Sequence, residues 1–155
     1  MLVSTKGRYA LRVMIDLAGH NDGSLVRLQD IADRQQISEK YLEGILSVLS
    51  KAKNLVISSR GKGGGYRLSR PSAEYTACQI IETIEGRIAP ISCLKAPENT
   101  CGRRQFCCTL PMWEQLDHLI RDYLQSVTLK DLAEGALSDL PCSLSSPSNN
   151  HVNHQ

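Results

Sequence analysis

Leu55-Val-Ile-Ser-Ser-Arg-Gly-Lys-Gly-Gly-Gly-Tyr-Arg-Leu68 places two short runs of strand-forming residues on either side of a glycine-rich turn. The β-branched content of Leu55–Ser59 predicts a strand, and Tyr66–Leu68 predicts its return. Glycine takes positive φ without steric cost, so Arg60–Gly65 suits a tight reversal. No Gly-Lys-Ser/Thr follows and no long helix opens from the turn, which excludes a phosphate-cradling P-loop. A bare backbone with Arg60 and Lys62 at its tip suits the narrow minor groove of DNA, where the potential is most negative.

The residues before this hairpin make it a wing. Ser4 or Thr5 can cap a first helix whose apolar stripe is Ala10, Val13, Met14, Leu17 and Ala18. Lys6, Arg8 and Arg12 lie off that stripe, and Arg8 and Arg12 are one turn apart, spaced to grip a phosphate track. Leu28, Ile31 and Ala32 mark a short second helix. Gln36-Ile37 reads as a turn, and Ser38 as the N-cap of a third helix with Glu39 in its first turn. The third helix buries Leu42, Ile45, Leu46 and Leu49. Its outer face carries Lys40, Glu43, Gly44, Ser47 and Lys51. Two short helices, a tight turn and a small-polar outer face predict a helix-turn-helix, and the hairpin after it predicts a winged one.

Beyond Pro71, Thr76 caps a fourth helix with Ala77, Ile80, Ile81 and Ile84 on one face. Four of the six cysteines follow within Cys93–Cys108, in a stretch that Pro97, Asn99 and Gly102 keep out of regular structure. Thiolates gathered on a flexible loop suit a soft metal or an iron–sulfur cluster, with a disulfide pair as the alternative. Thr109 caps a long helix with Pro111 in its first turn. Its stripe of Leu110, Trp113, Leu116, Leu119, Ile120, Tyr123, Leu124 and Val127 suits packing on a partner helix. Thr128–Glu134 is a further helical turn. From Ser138 the chain is polar and aperiodic, a disordered tail by composition.

The 155 residues carry a net charge of +2, unevenly spread. Residues 1–70 hold twelve Lys and Arg against six Asp and Glu, and residues 71–155 six against ten. A basic first half suits phosphate binding. No apolar run is long enough to span a bilayer, and no signal peptide is evident, so a cytoplasmic protein without membrane association is expected. In a reducing cytosol the cysteines are expected to bind metal or act in redox chemistry.

Ser4-Thr-Lys-Gly-Arg-Tyr-Ala10, Ile37-Ser38 with Tyr41-Leu42-Glu43, Arg60-Gly-Lys-Gly-Gly-Gly-Tyr66 and Ser126-Val-Thr-Leu-Lys-Asp-Leu132 together resemble the Rrf-type winged-helix regulators of bacteria. The resemblance runs over about residues 1–135. It implies a homodimer on a pseudo-palindromic promoter site, a recognition helix at Ser38–Ala52, a minor-groove arginine at Arg60, and Glu43 reading a base edge. A carboxylate there could accept from cytosine N4. In cluster-binding members three loop cysteines ligate iron, and these match Cys93, Cys101 and Cys107. The family's fourth ligand falls on Leu110 or Arg8, neither of which binds iron. Cys108, an exogenous thiol or a partner-chain group is left for that place. Ala52-Lys-Asn54 departs from the family's shorter, glycine-bearing stop, and Asn54 can supply a left-handed residue there.

The expected protein is mainly α with a small β-hairpin wing: a winged helix-turn-helix at 1–75, cysteine-loop sensor and dimerisation helices at 76–137, and a tail at 138–155. The expected DNA-facing set is Lys6, Arg8, Ser38, Lys40, Glu43, Ser47, Arg60 and Lys62. The expected function is a homodimeric repressor that binds double-stranded promoter DNA and senses iron–sulfur or redox status. Its cofactor would be a 2Fe-2S or 4Fe-4S cluster on Cys93, Cys101 and Cys107. A zinc site or thiol switch in the same loop, or a regulator of cysteine metabolism that responds to a protein partner, are the alternatives. An enzyme with Cys101 or Cys107 as nucleophile and His118 as base lacks an orienting third group.

Overall fold

The computed structural model describes residues 3–52 and 55–137; Asn54, Cys142 and the tail from Ser138 lie outside these. The described elements are α1 (Thr5–Gly19), α2 (Leu28–Gln35), α3 (Glu39–Lys51), β1 (Val56–Ser59), β2 (Gly65–Leu68), α4 (Ala77–Glu85), α5 (Leu110–Ser126) and α6 (Leu129–Glu134). This is the winged helix-turn-helix expected from the sequence, mainly helical with one hairpin.

Caps set the helix starts. The Ser4 hydroxyl accepts from the Gly7 amide at 3.1 Å, so Ser4 rather than Thr5 caps α1. The Ser38 hydroxyl accepts from the Tyr41 amide at 3.3 Å and opens α3. Gln36, with φ 54° and ψ 46°, makes the left-handed residue of the turn between α2 and α3. Thr76 caps α4, and Thr128 with Asp131 forms a reciprocal capping box on α6.

One core joins these elements. Ala10, Val13, Met14 and Leu17 of α1 pack with Leu42, Ile45, Leu46 and Leu49 of α3, and with Tyr75, Ile80 and Leu129. Full burial of each leucine or isoleucine contributes about 1.5–3 kcal/mol. Asp16, in the α1 register between those apolar positions, is buried and accepts from Arg34 (2.7 and 3.0 Å) and Gln35 (2.9 Å) of α2. That carboxylate fixes α2 against α1.

The wing is an antiparallel pair in which Val56 faces Leu68 and Ser59 faces Gly65. The return strand begins one residue earlier than its side chains suggest, because Gly65 pairs as well. Val26 also exchanges two 2.8 Å hydrogen bonds with Tyr66, bringing the chain before α2 onto the wing. A Cβ at position 65 would come within 2.8 Å of the Val26 carbonyl carbon, so the close approach requires glycine there. Gly61, at φ 89°, supplies the reversal at the tip.

The start of α6 ties to the start of α4: Ala77 donates to the Val127 carbonyl and Leu129 to the Tyr75 carbonyl, both at 2.9 Å. Across α4 and α5, Arg87 pairs with the buried Asp117 at 3.1 Å, and Arg121 pairs with Glu82. The apolar stripe expected on α5 divides. Leu110 and Val127 are buried, Trp113, Ile120 and Leu124 are half-buried, and Leu116, Leu119 and Tyr123 face outward with Met112. At Thr109 the expected cap hydrogen bond is not made; the backbone there is already near-helical (φ −92°, ψ −11°), and the hydroxyl lies 3.5 Å from Cys107 Sγ.

Candidate nucleic-acid interface and cysteine loop

Two grooves flank the outer face of α3. On the wing side a groove of about 430 Å³ is lined by Glu43, Ser47, Lys51, Ser58, Arg60 and Tyr66. On the α1 side a groove of about 370 Å³ is lined by Lys6, Ser38, Lys40, Tyr41 and Gly44. Six of the eight residues expected to face DNA therefore sit in these two grooves, brought together from α1, α3 and the wing. Arg8 and Lys62 are exposed nearby in sequence, on the first turns of α1 and at the wing tip. Arg8 donates to Thr5 Oγ1 at 3.1 Å.

Arg12 departs from the expected phosphate track. Its guanidinium lies 4.9 Å from the centre of the Tyr9 ring and donates to the Gln35 carbonyl and side chain. The same Tyr9 ring meets Tyr41 edge-on, with centroids 5.8 Å apart and planes at 84°. Arg12 thus braces the aromatic pair that positions the first turn of α3. In the wing-side groove, burial pushes the Tyr66 phenol pKa up; the Glu43 charge adds to this and the Arg60 charge opposes it. Opposite charges from helix and wing thus act on one ring.

Two contributors were not legible in the sequence. Tyr75 is fully buried, and its hydroxyl meets the Leu55 carbonyl and the Ser69 and Arg70 amides at the base of the wing. Arg70 lies 4.3 Å above the ring of Tyr75 and donates to Gln79 at 2.7 Å. Val26 is the other. Both act over distances along the chain that no local pattern encodes.

The cysteine stretch connects α4 to α5 through short 3-10 turns at Ser92–Leu94 and Arg104–Phe106. A small second core of Ala89, Leu94 and Leu110 anchors it, with Ile91, Cys107 and Trp113 packed around. Cys93 and Cys107 are half-buried, and Cys101 and Cys108 are exposed, all as free thiols. Hydrogen bonds from Thr109, side chain first and then backbone, hold the Cys107 thiol below its ordinary pKa, and the Arg103 charge adds to this. The thiolate so favoured is the metal-binding and nucleophilic form. The donor set is of the soft kind that iron–sulfur clusters and zinc take. Among the described residues no three His, Cys, Asp or Glu side chains converge on one point. Ligation by Cys93, Cys101 and Cys107 would therefore require the loop to draw in. Position 110 carries a leucine packed into the second core.

The family model described as Rrf2, iron-dependent transcriptional regulator, matches residues 3–135. The HTH-type transcriptional regulator IscR of Vibrio vulnificus is 39% identical over 132 residues, covering 85% of this chain and 77% of that one. The solved structure of T. potens IscR superposes with a TM-score of 0.68 at 38% identity, over 88% of each chain. CymR, the global cysteine regulator of B. subtilis, superposes with a TM-score of 0.70 at 34% identity, over 90% of this chain and 99% of that one. These relatives are transcriptional regulators rather than enzymes, and regulators of this family bind DNA. Among the described residues no helix is long and apolar enough to cross a membrane. With the winged helix-turn-helix and the family match over most of its length, the chain belongs to the Rrf2 family of helix-turn-helix transcriptional regulators.

Proposed function

We propose that the protein is a homodimeric repressor that reads a pseudo-palindromic promoter site and responds to iron–sulfur or redox status through its cysteine loop. The observation that carries the DNA-reading half is the wing-side groove, in which Glu43 and Ser47 of α3 lie beside Arg60 of the wing. In this reading Glu43 accepts from a cytosine amino group in the major groove while Arg60 enters the neighbouring minor groove. Lys6, Arg8, Ser38, Lys40 and Lys62 contact phosphates around them. Residues 1–75 carry this reading, and residues 76–137 carry sensing and dimerisation.

For the sensing half, the likeness to IscR and the soft donor set support an iron–sulfur cluster on Cys93, Cys101 and Cys107. A cluster held there would supply a redox-sensitive group between the DNA-reading half and α5. The hydrogen bonds of Thr109 shift Cys107 toward its ligating, deprotonated form, and the second core holds the loop base in place. A thiol switch in the same loop is the second reading. The exposed Cys108 beside the thiolate-favouring Cys107, and the likeness to CymR, favour it. Anaerobic purification with a visible spectrum and an iron and sulfide count separates the two. Colour with stoichiometric iron and sulfide supports the cluster; a colourless, iron-free protein leaves the thiol switch. Selection from random duplex DNA tests the reader, and a protein that enriches no sequence would refute it.

A further inference from the structure

Lys40, Gly44 and Ser47 follow one another at helical spacing along the outer face of α3, so Gly44 sits at the middle of the row that faces outward. Glycine is a poor choice there. It is among the weakest helix formers, and nothing in the chain asks for it. Beyond its chain neighbours and the local backbone of α3, a Cβ at position 44 would have no heavy atom within 4 Å, so alanine would fit there. The demand for a missing side chain comes from outside the molecule.

What fits can be read from the surroundings. Gly44 lines the groove of about 370 Å³ on the α1 side, with Tyr41 forming a wall. The Tyr41 ring meets Tyr9 edge-on, which orients this wall. Lys6 and Lys40 stand at the groove with the Ser38 hydroxyl, which suits an apolar group set between phosphates. On the base edges of the DNA major groove the one apolar group is the C5-methyl of thymine.

We propose that Gly44 and Tyr41 form a receptor for a thymine methyl, making position 44 a specificity-determining notch in each half-site. This rests on the DNA-reading function proposed above. Glu43, on the wing side, would read a cytosine, and the Gly44 notch would read a T·A pair beside it. An alanine methyl at 44 would occupy the space that the thymine methyl needs.

The test uses the full-length protein. Selection from random duplexes defines the preferred site, and each thymine in it is then replaced in turn by deoxyuridine, which removes only the methyl. Binding of wild type and Gly44→Ala is measured by fluorescence anisotropy. Wild type should lose roughly four-fold in affinity at one thymine per half-site, the worth of one buried methyl-sized group, and little at the others. Gly44→Ala should bind the thymine site more weakly than wild type and recover when that same thymine becomes deoxyuridine. The melting temperature of Gly44→Ala should equal or exceed that of wild type, which separates a binding effect from a folding one. A preferred site with no methyl-dependent position, or a Gly44→Ala variant with the wild-type response to deoxyuridine, overturns the notch and leaves the DNA reader standing. A wild-type protein that enriches no sequence overturns both.

Discussion

The Tyr75 hydroxyl donates to the main-chain carbonyl of Leu55 at 2.8 Å. Leu55 leads into the first wing strand, and Tyr75 follows the second. The same oxygen lies 3.0 Å from the Ser69 amide and 3.2 Å from the Arg70 amide, so one buried phenol closes the base of the wing. Arg60 enters the wing-side groove from the far end of that hairpin, and its aim therefore depends on a residue outside the proposed DNA-facing surface.

Tyr75→Phe keeps the ring and removes the hub. The Leu55 carbonyl and the Ser69 amide keep each other at 3.4 Å, but the Arg70 amide loses its Tyr75 partner, at a cost of about 1–3 kcal/mol. Urea denaturation should show this loss, and amide exchange at Ser69 and Arg70 should quicken. Wild-type stability together with wild-type exchange would show that the hydroxyl is not what closes the wing.

Asp16→Ala removes the carboxylate that holds Arg34 and Gln35. Breaking a buried ion pair costs about 3–5 kcal/mol, and the partial exposure of Arg34 places this one toward the lower end. The midpoint of chemical denaturation should fall accordingly; a shift within error would mean that α2 is fixed by packing alone.

Arg60→Ala should weaken binding to the selected site by about 1–3 kcal/mol and reduce its preference for A·T-rich flanks. Lys6→Ala and Arg8→Ala should instead weaken specific and random DNA alike and flatten the salt dependence. Anisotropy titrations across a salt series distinguish the two behaviours. Wild-type affinity in all three variants would remove this surface from the interface.

Leu119 and Tyr123 are 58% and 61% exposed on the outward face of α5, in line with Leu116 and Met112. An apolar face of this kind calls for a partner, and the proposed homodimer would supply one in a second copy. Leu119→Glu should turn a dimer into a monomer or an aggregate in analytical ultracentrifugation. A folded wild-type monomer at micromolar concentration would refute the dimer.

Cys93→Ala, Cys101→Ala and Cys107→Ala should each abolish the visible absorption of anaerobically purified protein, whereas Cys78→Ala should not. Cys108→Ala decides whether Cys108 is the fourth ligand. Retention of the full wild-type spectrum by all of these variants would end the cluster assignment.

Much of the DNA reader was legible in the sequence because its signals are local. Caps at Ser4, Ser38 and Thr76 act within one turn, the α1 and α3 stripes repeat at helical spacing, and the glycines of the wing answer to backbone sterics. Those signals selected Glu43, Ser47 and Arg60, and folding set them in one groove.

What only the tertiary structure decided involves residues far apart in the chain. Val26 pairs with Tyr66, Tyr75 meets Leu55, Asp16 meets Arg34, and Arg12 lies across the surface to Gln35 and Tyr9. Each is a polar or aromatic group whose partner depends on how helices and wing pack, and no periodicity announces it. On α5 the sequence marked one broad apolar stripe. Packing against α4 divided it, pairing Asp117 and Arg121 with Arg87 and Glu82 on the inner side and leaving Leu119 and Tyr123 outward. The spacing of apolar residues determines that a helix has a buried face; which residues stay uncovered depends on the width of the neighbour that covers it.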